Sequence, residues 1–103
     1  MTEQAIQPQV VHNEQGQRYE VWVGDAVAGF SEYRDQGRRR VFTHTEVDDA
    51  YAGQGLGKVL AASALDDVVR HGLVIVPLCP FIAGYLRKHE EYAEHVYWPG
   101  GEG

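Results

Sequence analysis

The stretch that decides the fold is residues 41–78, which read VFTHTEVDDAYAGQGLGKVLAASALDDVVRHGLVIVPL. Polar and apolar residues alternate at its start, which predicts a β-strand over Arg39 to Val47. The period then changes to about 3.6 residues, which predicts a helix over about Gln54 to His71, ended by Gly72. The apolar run Leu73 to Leu78 is typical of a strand buried on both faces. These elements form a βαβ unit, whose right-handed crossover makes the two strands parallel.

In the predicted strand Arg39 to Val47, successive side chains point to opposite faces. One face is expected to carry Phe42, His44 and Glu46, and the other Val41, Thr43, Thr45 and Val47. The helix presents one apolar stripe, formed by Leu56, Val59, Leu60, Ala64, Leu65, Val68 and Val69. The stripe is expected to pack on the sheet.

The flanking sequence completes the fold class. Three β-rich runs separated by turn residues predict an antiparallel meander over Val10–His12, Arg18–Val23 and Ala26–Tyr33. Pro80 favours the first position of a second helix, which makes Cys79 its N-cap residue. The prediction is an α+β fold with a mixed sheet: an N-terminal antiparallel meander, then the βαβ unit and a C-terminal helix.

Composition describes one small acidic domain of 103 residues, with a formal net charge of −6 and 44% hydrophobic residues. We expect a single domain over residues 9–97, a flexible N-terminus over 1–8 and a flexible tail over 98–103. One Cys and no CxxC spacing predict neither disulfides nor a metal site. The longest apolar run is far shorter than the roughly 20 residues of a membrane span. A single Cys fits a reducing cytoplasm. Nucleic-acid and membrane partners are not expected, because the acidic chain has no Lys/Arg-rich face.

A glycine loop, Ala52-Gly53-Gln54-Gly55-Leu56-Gly57-Lys58, precedes the first helix. Alternate glycines at a helix N-terminus let backbone N–H groups converge on a phosphate. A Walker A loop is excluded by Ala52 and Val59, and a dinucleotide fingerprint by Lys58. A plain flexible turn before the helix remains the alternative to a phosphate site.

Four segments of the chain carry a family resemblance. The segments His44–Val47, Tyr51–Gly57, Pro77–Ile82 and Leu86–Tyr92 resemble those of the GNAT superfamily of acetyl-CoA-dependent N-acetyltransferases. More narrowly, the chain resembles a compact GNAT-like subfamily of roughly 100 residues. The resemblance covers residues 8 to 96, which is nearly the whole domain.

This resemblance implies a site for acetyl-CoA. It implies that the two parallel strands splay apart to admit the pantetheine arm and that the loop amides hold the pyrophosphate. The residues implied to bind the cofactor are Val47, Gly53, Gln54, Gly55, Leu56, Gly57 and Lys58. Arg87, Lys88 and His89 form a basic group on the second helix, which is either a solvated face or, in an acidic protein that holds an anionic cofactor, a contact for its 3′-phosphate or adenine end. The chain departs from the family at Ala52, where Arg or Gln is usual.

Four residues are candidates for the chemistry. Cys79 lies at a helix N-terminus, which favours the thiolate form, and the alternative is a buried small hydrophobe. The resemblance adds that the compact subfamily has a Cys there that has been considered as an acetyl acceptor. Glu46 is the candidate base with His44 beside it, unless both simply belong to an exposed polar face. Tyr85 is the candidate acid by resemblance, or else a core residue.

The sequence therefore predicts a small acetyltransferase that passes an acetyl group from acetyl-CoA to an amine of a protein, a peptide or a small molecule. Direct attack by the amine is favoured over a covalent acetyl-Cys79 route. The alternative is a CoA-binding or interaction module with little turnover. A monomer or weak dimer is expected, and the Arg38-Arg39-Arg40 run is assigned to the surface.

Overall fold

A computed structural model describes residues 7–101 and contains one five-stranded sheet in the order β1-β2-β3-β4-β5. The strands are β1 (Gln9–Asn13), β2 (Arg18–Val23), β3 (Ala26–Gln36), β4 (Arg39–Val47) and β5 (Val74–Pro77). The first four form an antiparallel meander, and β5 lies parallel to β4. The predicted α+β class with a mixed sheet is confirmed.

Helix α1 (Leu56–Arg70) connects β4 to β5, and helix α2 (Pro80–Arg87) follows β5. The start of α1 lies two residues later than predicted, because Gly55 adopts a left-handed conformation (φ 73°) as its N-cap. The predicted N-cap position of Cys79 is confirmed, with Pro80 in the first turn of α2. No helix within residues 7–101 is long and apolar enough to cross a bilayer.

One core joins the sheet to both helices. Its fully buried side chains include Tyr19, Phe42, Leu60, Leu65, Ile75 and Ile82. Helix α2 lies beside α1, since the ring of Phe81 packs closely over Gly57. The segment after α2 is tied to α1 by the Tyr92 hydroxyl, which donates to Asp66 at 2.6 Å. The helices therefore pack together on one face of the sheet.

The predicted division of β4 into two faces is wrong for Phe42, because a bulge interrupts the strand between Phe42 and His44. Glu32 pairs with His44, but the next residue, Tyr33, pairs with Phe42, so Thr43 is an extra residue in β4. A bulged residue reverses the alternation beyond it. Phe42 is buried towards the helices, and beyond the bulge Thr45 shares that face, where it meets the buried Ser31. The opposite face carries His44 instead.

The assignment of the whole arginine run to the surface is wrong for Arg40, which is buried. Its guanidinium donates twice to the Asp35 carboxylate, at 2.8 Å each, and once to the Tyr19 hydroxyl at 2.8 Å. The guanidinium also lies 4.0 Å from the centroid of the Tyr33 ring. Such bidentate pairing offsets the cost of removing the charge from water.

The C-terminal segment contributes a contact that the sequence did not predict. After a 3₁₀ turn over Glu90–His95, Val96 bridges to Ile75, and the Tyr97 N–H donates to the Ile75 carbonyl at 2.8 Å. Trp98, assigned to the tail, packs against the core. Residues 1–6 of the expected flexible N-terminus and residues 102–103 of the expected tail lie outside the described residues.

Candidate active site

The site begins where the two parallel strands part. Their pairing ends at Phe42 and Pro77, and the Phe42 carbonyl accepts N–H groups from both Leu78 (2.9 Å) and Cys79 (3.0 Å). Strand β4 continues to Val47 beside β3, whereas the chain after β5 turns into α2. A gap therefore opens between the second half of β4 and the start of α2, as the resemblance implied.

The glycine loop closes one end of this gap. Gly53 (φ 83°) and Gly55 (φ 73°) are both left-handed, and a Cβ at either would project into open space. The Val59 N–H donates to the Gly55 carbonyl at 3.3 Å, which is the first helical bond of α1. The N–H groups that precede it have no partner within the helix. A cavity of about 300 Å³ lies against them, lined by Val47, Tyr51, Phe81 and the loop.

Gly57 has a different reason to be glycine. A Cβ there would lie 2.6 Å from the Cζ atom of Phe81, so the missing side chain lets α2 pack against the first turn of α1. The Phe81 ring is 40% exposed and lines the loop cavity. It also lines a second groove of about 270 Å³, to which Lys58, Tyr85, Lys88 and His89 contribute. Phe81 thus separates the two depressions.

These residues fit the phosphates of a coenzyme A molecule. Unpaired N–H groups and the positive end of the α1 dipole favour an anion at the loop. Lys58 borders both depressions, and Lys88 borders the second. Ala52 lines the loop cavity without a charge or a hydrogen-bonding side chain. Arg87 lies elsewhere, with its guanidinium 5.0 Å from the Trp98 ring.

Cys79 lies at the α2 side of the gap and is 3% exposed. Its Sγ is 3.3 Å from the Thr45 Oγ1, which in turn is 2.8 Å from the Oγ of fully buried Ser31. The three groups form a chain of S–H and O–H groups that joins β4 to the start of α2 at the base of the gap. Sequence reasoning missed Thr45 because only the bulge at Thr43 turns it towards Cys79.

His44 and Glu46 lie on the other side of the sheet from Cys79. The Nε2 of His44 is 2.8 Å from a Glu46 carboxylate oxygen, and the side chains are 51% and 60% exposed. The Phe30 ring lies beside His44, with 6.0 Å between centroids. A carboxylate in this position can accept a proton and pass it through the imidazole to water.

Tyr85 faces the second groove. Its ring stacks on His89, with centroids 3.8 Å apart. Burial raises the pKa of Tyr85, and the carboxylates of Glu91 and Asp66 raise it further. The hydroxyl that contacts Cys79 belongs to Thr45 and not to Tyr85.

Comparison with known proteins identifies the family. Residues 18–96 match the family described as GCN5-related N-acetyl-transferase. The chain belongs to this family. The protein NATD1 from Gallus gallus is 42% identical over 67 residues, which cover 62% of this chain and 61% of that protein. NATD1 from Homo sapiens is 40% identical over 67 residues, with 62% and 59% covered. The chain thus spans about three fifths of the length of these curated relatives.

Solved structures show the GCN5-related fold. A GCN5-like protein from Staphylococcus aureus superimposes with a TM-score of 0.68 at 23% identity, covering 88% of this chain and 89% of that one. The ribosomal-protein-S18-alanine N-acetyltransferase from Escherichia coli gives a TM-score of 0.54 at 20% identity, covering 56% and 38%. The first match extends over nearly the whole of both chains, so the compact form of the fold occurs in both proteins.

Proposed function

We propose that this chain binds acetyl-CoA at the glycine loop and transfers the acetyl group to an amine. The observation that carries the proposal is the gap beyond Phe42 and Pro77, which ends at unpaired N–H groups of α1. Membership of the GCN5-related family supports the same reading. The loop amides and Lys58 would hold the pyrophosphate, and Val47, Gln54 and Leu56 would border the entry to the gap.

The remaining roles follow from the positions of the side chains. When bound, acetyl-CoA supplies an acetyl group activated as a thioester. An acceptor amine is protonated in water near neutral pH and must lose a proton before it attacks. Glu46 takes that proton, directly or through water, and His44 relays it to solvent. Thr45 holds the Cys79 thiol in one orientation within the gap. Transfer is direct, with no acetyl-Cys79 intermediate: the amine forms its bond to the acetyl carbon as the C–S bond of the thioester breaks, and the released thiolate takes up a proton from solvent.

The proposal is tested by comparing Gly55→Ala with Gly37→Ala. Both glycines are left-handed and open to space, at φ 73° and 61°, so both variants should lose about 1 kcal/mol of stability from backbone strain. Only Gly55→Ala adds a methyl group to the loop. Calorimetry with CoA should therefore show at least about a tenfold loss of affinity for Gly55→Ala alone. Equal affinities would reduce the loop to an ordinary turn.

Intact mass spectrometry with acetyl-CoA and an amine follows transfer in the same proteins. Glu46→Gln keeps the shape of the side chain and removes its basicity. The rate of transfer should fall in that variant and its dependence on pH should change, while CoA affinity stays the same. An unchanged pH profile would assign the proton to another group. CoA binding without any transfer would favour the binding-module alternative.

A further inference from the structure

The two edges of the sheet differ. The outer edge of β5 is covered, because Val96 bridges to Ile75 and the Tyr97 N–H donates to the Ile75 carbonyl at 2.8 Å. At the opposite edge, β2 is the one strand within residues 7–101 that pairs with β1. Alternate N–H and C=O groups of β1 therefore point away from the sheet, where they can pair with another strand.

Strand β1 lacks the features that usually keep an edge strand from pairing. The segment Gln9–Asn13 contains no Lys, Arg, Asp, Glu or Pro, in a chain with 15 acidic and 9 basic residues. Its register with β2 runs from end to end without a bulge. Val10 and His12 face α1, so Val11 lies on the other side of the sheet, where it is 45% exposed. An uncharged, regular edge of this kind is a template for a further strand.

The sequence of β1 is self-complementary in antiparallel pairing. When Val11 is opposite the Val11 of a second copy, Val10 is opposite His12 and Gln9 is opposite Asn13. Cross-strand pairs of β-branched residues stabilise a sheet, and none of these pairs brings like charges together. A two-fold axis beside Val11 would therefore join two copies through one continuous sheet.

Helix α1 is compatible with the same arrangement. It packs on β1, β2 and β3, so its axis lies near β2. In the joined sheet two such helices run antiparallel about 14 Å apart, which is three strand spacings, and each is about 10–12 Å wide with its side chains. The side of α1 that faces the free edge carries both signs of charge, since Asp66 and Arg70 line an open depression of about 330 Å³ there. The Arg70 side chain is 68% exposed and can reach the second copy.

The size of the contact fits a weak dimer. Strand β1 has five residues and is about 17 Å long, and the sheet and helix layers are together about 20 Å deep. Each copy therefore offers on the order of 350 Å², compared with about 800 Å² per partner in a standard interface. A dissociation constant on the order of 100 µM is expected.

We propose that the protein forms a two-fold dimer in which β1 of each copy pairs antiparallel with β1 of the other. The glycine loop and the gap lie beside β4 and β5, at the other side of the sheet, so they remain open in both copies. The dimer is independent of the proposed acetyl transfer.

Sedimentation velocity of the full chain between about 10 µM and 1 mM measures self-association, and the sedimentation coefficient should rise with concentration towards that of a dimer. Val11→Lys places two ammonium groups opposite each other at the axis, so it should weaken association at least about tenfold. Val11→Thr keeps the strand propensity and should weaken it less. Leu78→Lys is the matched control, because it makes the same change at a residue that follows β5 and is 56% exposed. Association should be unchanged in that variant.

Amide hydrogen exchange tests whether the backbone of β1 forms the contact. The outward amides of Gln9–Asn13 should gain protection as concentration rises, whereas the amides of β3 should not. A monomer at 1 mM would overturn the proposal, as would equal effects of Val11→Lys and Leu78→Lys. Protection of the outward β1 amides at every concentration would also overturn it, because a segment of the same chain would then cover the edge. Acetyl transfer by a protein that stays monomeric would refute the dimer and leave the proposed function standing.

Discussion

At the scale of single residues, the contact between Cys79 and Thr45 decides how the thiol can act. Cys79 is 3% exposed and its Sγ is held by the Thr45 hydroxyl, which Ser31 holds in turn. The side chain makes no capping hydrogen bond to α2, although the residue occupies the N-cap position. Its hydrogen bonding is therefore directed across the gap and not along the helix.

We expect Cys79→Ser to keep the fold, because serine fits both an N-cap position and the contact with Thr45. If transfer is direct, activity should stay within about threefold of the original, since a hydroxyl can take the place of the thiol in this contact. Thr45→Val should lower the rate more, because it removes the shared partner of Cys79 and Ser31. Thr43→Val, on the exposed bulge, is the control. Steady-state turnover and intact mass measure both effects.

A covalent route predicts that Cys79→Ser lowers the rate more than Thr45→Val does. Cys79→Ser would then abolish turnover, and mass spectrometry would detect an acetyl adduct on Cys79 that discharges to the amine at the steady-state rate. Either observation would replace direct transfer by a two-step mechanism.

At the scale of elements, the sequence was informative wherever a periodic pattern was uninterrupted. The meander, α1, β5 and α2 all follow from alternation, helical period and turn residues. The bulge at Thr43 has no such sequence signature, because Thr is compatible with a regular strand. This bulge turns the Thr45 side chain towards the site. The glycine loop was predicted from its composition, but the contact between Gly57 and Phe81 joins residues 24 positions apart, so local spacing could not show it.

That contact leads to a prediction about the packing of α2 on α1. Gly57→Ala should displace the Phe81 ring into the cavities that it lines and lower CoA affinity about tenfold without unfolding the domain, since the ring is 40% exposed and free to turn. Adding Phe81→Ala should restore most of the lost affinity. Calorimetry on the two single variants and the double variant gives the coupling between the positions. Additive losses would show that the ring does not transmit the effect.

At the scale of the whole molecule, a partly buried polar cluster joins the meander to the far end of α1. Arg40 links Asp35 on β3 to Tyr19 on β2, and Tyr19 donates to Asp67 on α1. His12 on β1 stacks on the Tyr19 ring with centroids 4.2 Å apart. No sequence pattern predicts this cluster, because its members come from five separate elements and each is polar. Surface position was therefore the default expectation for Arg40, and tertiary pairing overturned it.

The cluster should make stability depend on pH in two stages. Burial lowers the pKa of His12, and Arg40 and His71 lower it further against the opposing effect of Asp67 and Glu14. The unfolded chain therefore binds the proton first, and stability falls as pH drops from about 6.5, by at most about 1.4 kcal/mol per pH unit for one proton. Hydrogen bonding from Arg40 lowers the pKa of Asp35. Burial alone would raise the pKa of Asp67, but the Tyr19 hydrogen bond and the nearby charges of His71, His12 and Arg70 outweigh it, so the pKa of Asp67 is also lowered. These carboxylates add a second loss of stability below about pH 4.

Urea unfolding between pH 8 and 3 measures both stages. His12→Gln should flatten the first stage and leave the second, whereas His95→Gln, outside the cluster, should change neither; an unaltered first stage in His12→Gln would assign it to another group.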